Sequence, residues 1–381
     1  MSERYVGAWE QAGLFNPLNA PTPVYNYTYN LYTWGYNNIG VLGTGNINQY
    51  SSPKLIGSLT TWLSVSTGSQ HALATKTDGT LWAWGGGNRG QTGLGNIISY
   101  SSPVQVGALT NWLQVSAGIY HSAAIKTDGT LWTWGNNSNG QLGIGASTNR
   151  SSPNQVGSLT NWSVVSTGGY FCLALKTDGT LWGWGQSNFG QLGQGNTTST
   201  SSPVQIGALT NWLNICAGVY SSVAVKTDGS LWVWGANNFG QLGTGNLTYY
   251  SSPKQLGALT TWKSVVTGYF TNAIKTDGTL WSWGKNNFGQ LGLNNTTYYS
   301  SPVQVGALTN WSILSGGANR NNSGTHVIKT DGTLWWTGGL NAFGESGLGN
   351  TTYFSSPKQV GSLTTWKFTY LTTNHVIALA Y

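Results

Sequence analysis

Short runs of alternating apolar and polar residues, each bounded by Gly, Pro or Asn, follow one another along almost the whole chain. Alternation with period two marks a β-strand, whose successive side chains point to opposite faces. In Thr130-Leu131-Trp132-Thr133-Trp134 the two tryptophans share one face, and Leu131 shares the other with the small Thr133. Apolar groups on both faces put such a strand inside a stack of sheets rather than on a solvated surface. Lys-Thr-Asp-Gly, following an Ala-Ile-Lys type of strand, suits a tight hairpin with Gly where positive φ is needed.

These runs repeat as a block. Ser-Ser-Pro recurs at Pro53, Pro103, Pro153, Pro203, Pro253, Pro302 and Pro357, in steps of 50, 50, 50, 50, 49 and 55 residues. About four strands per unit of ~50 residues make one blade of a propeller. Six units carry Lys-Thr-Asp-Gly, and the seventh is split at that turn. Residues 374–380 match the strand before the turn and residues 31–35 the strand after it. Joining the two ends completes a seventh blade and leaves no unpaired sheet edge at the seam. The expected fold is all-β, a seven-bladed β-propeller over residues 26–381, preceded by a non-repeating arm of residues 1–25.

With its Trp-x-Trp-Gly, Asp-Gly and Gly-Gln-Leu-Gly signatures, the unit resembles the regulator-of-chromosome-condensation repeat. That resemblance implies a seven-bladed propeller closed by both chain ends. It also implies a binding role, since the family includes a nucleotide exchange factor for the Ran GTPase and a β-lactamase-inhibiting propeller. The exchange role uses a basic tail and an inserted wedge, whereas this sequence shows no such tail and one modest insertion. The pattern breaks in the sixth full unit at Trp335-Trp336-Thr337-Gly338-Gly339, where residues 317–325 also enlarge a loop.

Composition narrows the chemistry. Charged residues are 7% of the 381, against about 25% in an ordinary soluble protein. The net charge of +7 is less informative than it looks. Asp78, Asp128, Asp178, Asp228, Asp277 and Asp331 each follow a lysine by two residues and cancel it. Recurring in every full unit, they read as turn-building residues. Only Glu3, Glu10 and Glu345 remain, so a carboxylate pair for glycoside cleavage is nearly out of reach. The other cations are scattered without a basic stripe, which argues against nucleic acid. No enzyme and no cofactor are expected; a glycan-acting enzyme centred on Glu345 is the third reading. Cys172 and Cys216 occupy non-equivalent places and read as small buried residues. No apolar stretch approaches the ~20 residues of a membrane span. The N-terminus lacks the layout of a secretory signal, so cytoplasmic synthesis without membrane insertion is expected.

Three sets of residues are candidates for function. His71, His121 and His375 occupy equivalent positions and would form a zinc set if they lined the central shaft; the resemblance implies the plainer alternative, a structural hydrogen-bonding role. Variation between units is concentrated before Ser-Ser-Pro, at Tyr249, Tyr250, Tyr298, Tyr299, Tyr353 and Phe354. It is also marked in a strand-connecting loop, at Tyr120, Tyr170 and Tyr220, and around Arg320 in the enlarged loop. Tyrosines among Asn, Thr and Ser resemble a binding paratope, although they would equally cover an outer blade edge. Tyr5, Trp9, Leu14 and Phe15 form an apolar, proline-punctuated arm suited to docking on a partner. Together these predict a non-enzymatic virion protein, anchored through residues 1–25 to other virion or assembly proteins. Its Tyr-rich loops would face a host surface protein or glycan, or a neighbouring virion protein. A regulatory protein-binding propeller, exchange-factor-like or inhibitor-like, is the alternative.

Overall fold

The computed structural model describes residues 29–315, 324–372 and 374–381. Among them the chain forms seven four-stranded antiparallel sheets. Blades 1 to 6 span residues 62–105, 112–155, 162–205, 212–255, 262–304 and 311–359; blade 7 joins residues 366–380 to residues 30–55. In blade 2 the strands Trp112–Ala117, His121–Lys126, Leu131–Gly135 and Arg150–Gln155 pair in chain order. The first strands of neighbouring blades meet around the axis, while the fourth strand is half-exposed at the rim. No helix of the described residues is long and apolar enough to cross a membrane.

An antiparallel meander sends alternate connections to opposite ends of the sheet. The loops after the first and third strands form one face of the disc, here the upper. The Lys-Thr-Asp-Gly turns and the links between blades form the lower. The seam is as the split unit implies: Asn30–Gly35 pairs with His375–Ala380, with Leu31 opposite Leu379 and Trp34 opposite Val376. Tyr29 and Tyr381, which flank the Asn30–Ala380 pair at the lower end of this seam, pack with ring centroids 5.0 Å apart.

The recurrent Asp residues build turns. Asp128 Oδ1 accepts from the Thr130 amide at 2.9 Å and its hydroxyl at 2.6 Å, and Thr130 Oγ1 accepts from the Trp132 indole at 2.8 Å. Lys126 lies 3.8 Å from the Trp132 ring and 4.7 Å from Trp112, so its charge is held by aromatic faces.

Blades are joined through the second tryptophan of Trp-x-Trp. Trp34, Trp84, Trp134, Trp184, Trp234 and Trp283 each donate the indole N–H to a carbonyl in the preceding blade's glycine loop, at 2.9–3.0 Å. The glycine facing each indole has no room for a side chain: a Cβ on Gly143, at φ +70°, would stand 2.7 Å from Trp184 Nε1. Blade 6 departs here. Thr337 holds the tryptophan position, and its hydroxyl reaches Gln290 O at a longer 3.3 Å. The adjacent Trp336 is fully buried, with no partner for its indole N–H.

Hydroxyls on the first strands link neighbouring blades around the axis. Ser66, Ser116 and Ser166 accept from the amides of Ala117, Thr167 and Ala217 in the next blade, at 2.8–3.0 Å. Tyr370 of blade 7 reaches the hydroxyls of Ser66 and Ser116 and lies near Cys216 of blade 4. Its strand, Trp366–Leu371, is one of the first strands that meet around the axis, so Tyr370 projects towards the shaft. The two cysteines are free and buried, as small core residues should be.

The unequal joints make a test. Trp84→Phe loses both volume and the bond to Val41 O, an expected cost of about 2–3 kcal/mol; Trp336→Phe loses volume only, about 1 kcal/mol less. Equal costs in urea denaturation would remove the indole hydrogen bond as a joint element.

Candidate functional site

Both tyrosine-rich segments singled out in the sequence fall on the upper face, where phenylalanines of the glycine loops bring them together. Phe189 of blade 3 packs edge-on against Tyr220 at 5.1 Å and Tyr249 at 5.9 Å, both of blade 4. Phe239 does the same with Tyr269 at 5.5 Å and Tyr298 at 6.1 Å in blade 5. Phe288 lies 6.0 Å from Tyr353 of blade 6, and Phe343 lies 4.7 Å from Tyr36 of blade 7. Sequence reasoning missed these phenylalanines. Their signal was present as a substitution: the same loop position holds Ile39, Arg89 and Asn139 in blades 7, 1 and 2.

The named tyrosines then divide by exposure. Tyr249, Tyr298 and Tyr353 are 44%, 44% and 48% exposed. Tyr250, Tyr299 and Phe354 are half-buried; the Tyr250 and Tyr299 hydroxyls accept from Asn246 at 3.3 Å and Asn295 at 3.2 Å, and both rings pack on the core. Those three help to build the rim. Tyr120, half-buried, has the Arg89 guanidinium 5.6 Å above its ring, and Tyr170 and Tyr220 are half-buried in equivalent loops. Arg320 and the arm residues Tyr5, Trp9, Leu14 and Phe15 lie outside the described residues.

The three exposed tyrosines stand on loops of one construction. Asn237, Asn286 and Asn341 each donate from Nδ2 to two carbonyls of the loop that follows, at 2.9–3.1 Å. Within the loop, Asn246, Asn295 and Asn350 accept the amides of Thr248, Thr297 and Thr352 at 2.9–3.0 Å. With those backbone groups satisfied internally, each tyrosine is held before any ligand arrives.

Charge separates the faces. All six turn aspartates lie on the lower face, and Glu345 is buried, so among the described residues the upper face has no exposed carboxylate. Lys254 and Lys358 reach over the rings of Tyr250 and Phe354, at 5.1 and 5.6 Å. Lys285 lies 4.9 Å from the Phe239 ring.

The histidines do not line the shaft; the positions at the axis belong to the first strands. His71, His121 and His375 are buried between blades. His71 Nε2 pairs with Ser122 Oγ at 2.8 Å, and because Ser122 donates to Gln91 O, the ring carries its proton on Nε2. His121 Nε2 meets Cys172 Sγ at 3.3 Å. Strung from blade to blade in this way they do not converge, and among the described residues no group of three metal-ligating side chains forms. Burial holds His71, His326 and His375 near pKa 3 and His121 near 4; for His71 the neighbouring His121 and His375 add to the effect.

Glu345 takes the place of the glutamine found in five other loops. Where Gln91, Gln241 and Gln290 donate to Asn88, Asn238 and Asn287 at 3.3–3.4 Å, Glu345 has Ala342. Its Oε2 accepts the Phe343 amide at 2.9 Å, and its Oε1 is buried without a partner. Burial raises the carboxyl from 4.5 to about 7. A cleft of about 490 Å³ between the outer edges of blades 3 and 4 is lined by Gly, Gln, Asn, Ser, Pro and apolar residues, with no ionisable group.

Residues 106–378 match the RCC1-like domain, and residues 30–75, 78–125 and 62–91 match the regulator of chromosome condensation (RCC1) repeat. The chain belongs to the RCC1-like domain family. Human WBSCR16 is 20% identical with a TM-score of 0.82, over 92% of this chain and 98% of that one. Prp20p from Saccharomyces cerevisiae, solved in a study of its binding to Gsp1p and histones, is 18% identical with a TM-score of 0.82, over 98% and 94%. Yeast RCC1 (Prp20) bound by Kap60 gives 18% and 0.83, over 97% and 93%. At these identities the likeness is one of fold. No curated protein matches the sequence.

The buried ionisable groups have opposite signs. The histidine pKa values are depressed from 6.5, so their share of stability is present above 6.5 and lost as pH falls towards 3. The pKa of Glu345 is raised, so its cost is absent below 4.5 and fully developed above 7. Glu345→Gln with Ala342→Asn restores the Asn-x-x-Gln pair. This double variant is expected to exceed the parent by up to about 3 kcal/mol above neutral pH, with the gain fading towards 4.5. Urea denaturation across that window checks it, and a gain independent of pH would mean the folded-state carboxyl is not protonated.

Proposed function

We propose that this RCC1-like propeller is a non-enzymatic recognition scaffold that grips a partner with its upper face. The observation that carries this reading is the arc of half-exposed Tyr249, Tyr298 and Tyr353 over Phe189, Phe239 and Phe288, on a face free of exposed carboxylates among the described residues. A cleft without ionisable groups and a buried Glu345 support the absence of hydrolytic chemistry. The finer setting is a virion or similar assembly. It is supported by the 7% charged residues, the near-identical units and the apolar arm of residues 1–25. Tyr29, the first described residue, lies at the lower face, opposite the gripping surface, which suits a tether placed before it.

The second reading, a regulatory propeller that binds a GTPase, takes its support from Prp20p, whose structure was studied with its binding to Gsp1p.

Photocrosslinking separates them. With p-benzoylphenylalanine at Tyr249 or Tyr298, adducts are expected on the partner, and at the lower-face Leu159 they are not. A particle protein as the adduct favours the virion setting, and a GTPase favours regulation. Equal adducts from both faces would sink the reading.

A further inference from the structure

Blades 4, 5 and 6 each carry Asn-x-Thr-Tyr followed by Tyr or Phe: Asn246 to Tyr250, Asn295 to Tyr299 and Asn350 to Phe354. In the other four blades the exposed tyrosine's position holds Gln49, Ser99, Asn149 and Ser199. Blade construction therefore does not need an aromatic ring there. What it gains is a platform, placed three times in succession by the rotation of the propeller. A folded protein partner seldom repeats itself at that interval; a polymer does.

The chemistry of each platform is constant. A half-exposed tyrosine ring, backed by a phenylalanine of the preceding blade, offers a flat surface for the C–H face of a sugar. The exposed Thr248, Thr297 and Thr352 supply hydroxyls beside it. Each of these blades also carries a lysine laid on an aromatic ring next to its platform, Lys254 and Lys358 from the rim strand. Lys254 and Lys358 lie over the ring next in sequence to Tyr249 and Tyr353, and Lys285 lies over the phenylalanine behind Tyr298. No exposed carboxylate opposes them among the described residues of this face. One cation per blade is too sparse for a chain with a phosphate on every unit, whose binding depends on many neutralised charges. It matches a polymer that carries a carboxylate every few units.

We propose that blades 4 to 6 form a three-platform site for an acidic polysaccharide, with sugar rings stacked on Tyr249, Tyr298 and Tyr353 and carboxylates paired with Lys254, Lys285 and Lys358. This rests on the upper face being the recognition surface. Three linked contacts give affinity through effective concentration, so a long chain binds far more tightly than one repeat unit.

Affinity gel electrophoresis of the full chain tests it, with polygalacturonate, alginate and hyaluronan as probes, dextran as the neutral control and oligo-dT as the anionic one. At least one acidic polysaccharide is expected to retard the protein more than dextran or oligo-dT does. Combined Tyr249→Ala, Tyr298→Ala and Tyr353→Ala is expected to weaken retardation at least about ten-fold, as is combined Lys254→Gln, Lys285→Gln and Lys358→Gln. Single tyrosine variants, about three-fold weaker each, decide the matter if the triple does not fold. Retardation by none of the acidic polysaccharides overturns the proposal. So does preference for oligo-dT, or binding lost with the lysines but kept without the tyrosines. If the polysaccharides fail while crosslinks from Tyr249 and Tyr298 still find a protein, only the glycan assignment falls; if both fail, the recognition face falls too.

Discussion

One contact recurs at six of the seven joints of this ring: an indole N–H meeting a carbonyl across the gap between blades, over a glycine that leaves it room. A blade cannot cover its own faces, and its tryptophan completes the hydrogen bonding of its neighbour's loop. That reciprocity makes the propeller cooperative rather than a string of independent sheets. It also explains why the glycines facing the indoles recur with the tryptophans, since a Cβ at Gly143 would collide with Trp184. Where the contact weakens, in blade 6, other departures gather. Thr337 replaces the tryptophan, Glu345 replaces a glutamine, and Trp336 fills a place that elsewhere holds residues such as Ala83 or Gly183.

The meander divides labour between the faces. Turns after the second strand need Asp, Gly and a capping hydroxyl in each of the six intact units, so the lower face is nearly uniform. Loops after the third strand are anchored by internal asparagine bonds and those after the first by a backbone bond such as Gly118 N–H to His121 O, and their tips are free to vary. Variation therefore collects on one side, and binding chemistry follows it.

Much of this was legible before any coordinates. The repeat length, the turn signature and the split seventh unit predicted the ring and its seam, because those features are local and repeat. The structural role of the six aspartates followed for the same reason. What escaped were contacts between units. Phe189 and Phe239 sit in glycine loops far in sequence from Tyr249 and Tyr298, and only the rotation from blade to blade brings them together. His71, His121 and His375 do share a register, as their spacing implied, yet equivalence around a ring does not mean meeting at its centre. Tyr370 does project towards the centre, and nothing in its local sequence marks it, since its neighbours in the ring are merely small.

The position of Tyr29 has a mechanical consequence. The strand Asn30–Gly35 runs from the lower to the upper face with a hydrogen-bonded neighbour on either side. If the molecule is tethered through residues before Tyr29 and held by its upper face, tension runs along that strand and loads both ladders in shear. Pulling the two chain ends apart would instead peel one ladder bond by bond. The same seam is thus strong in the direction of a tether and weak across it.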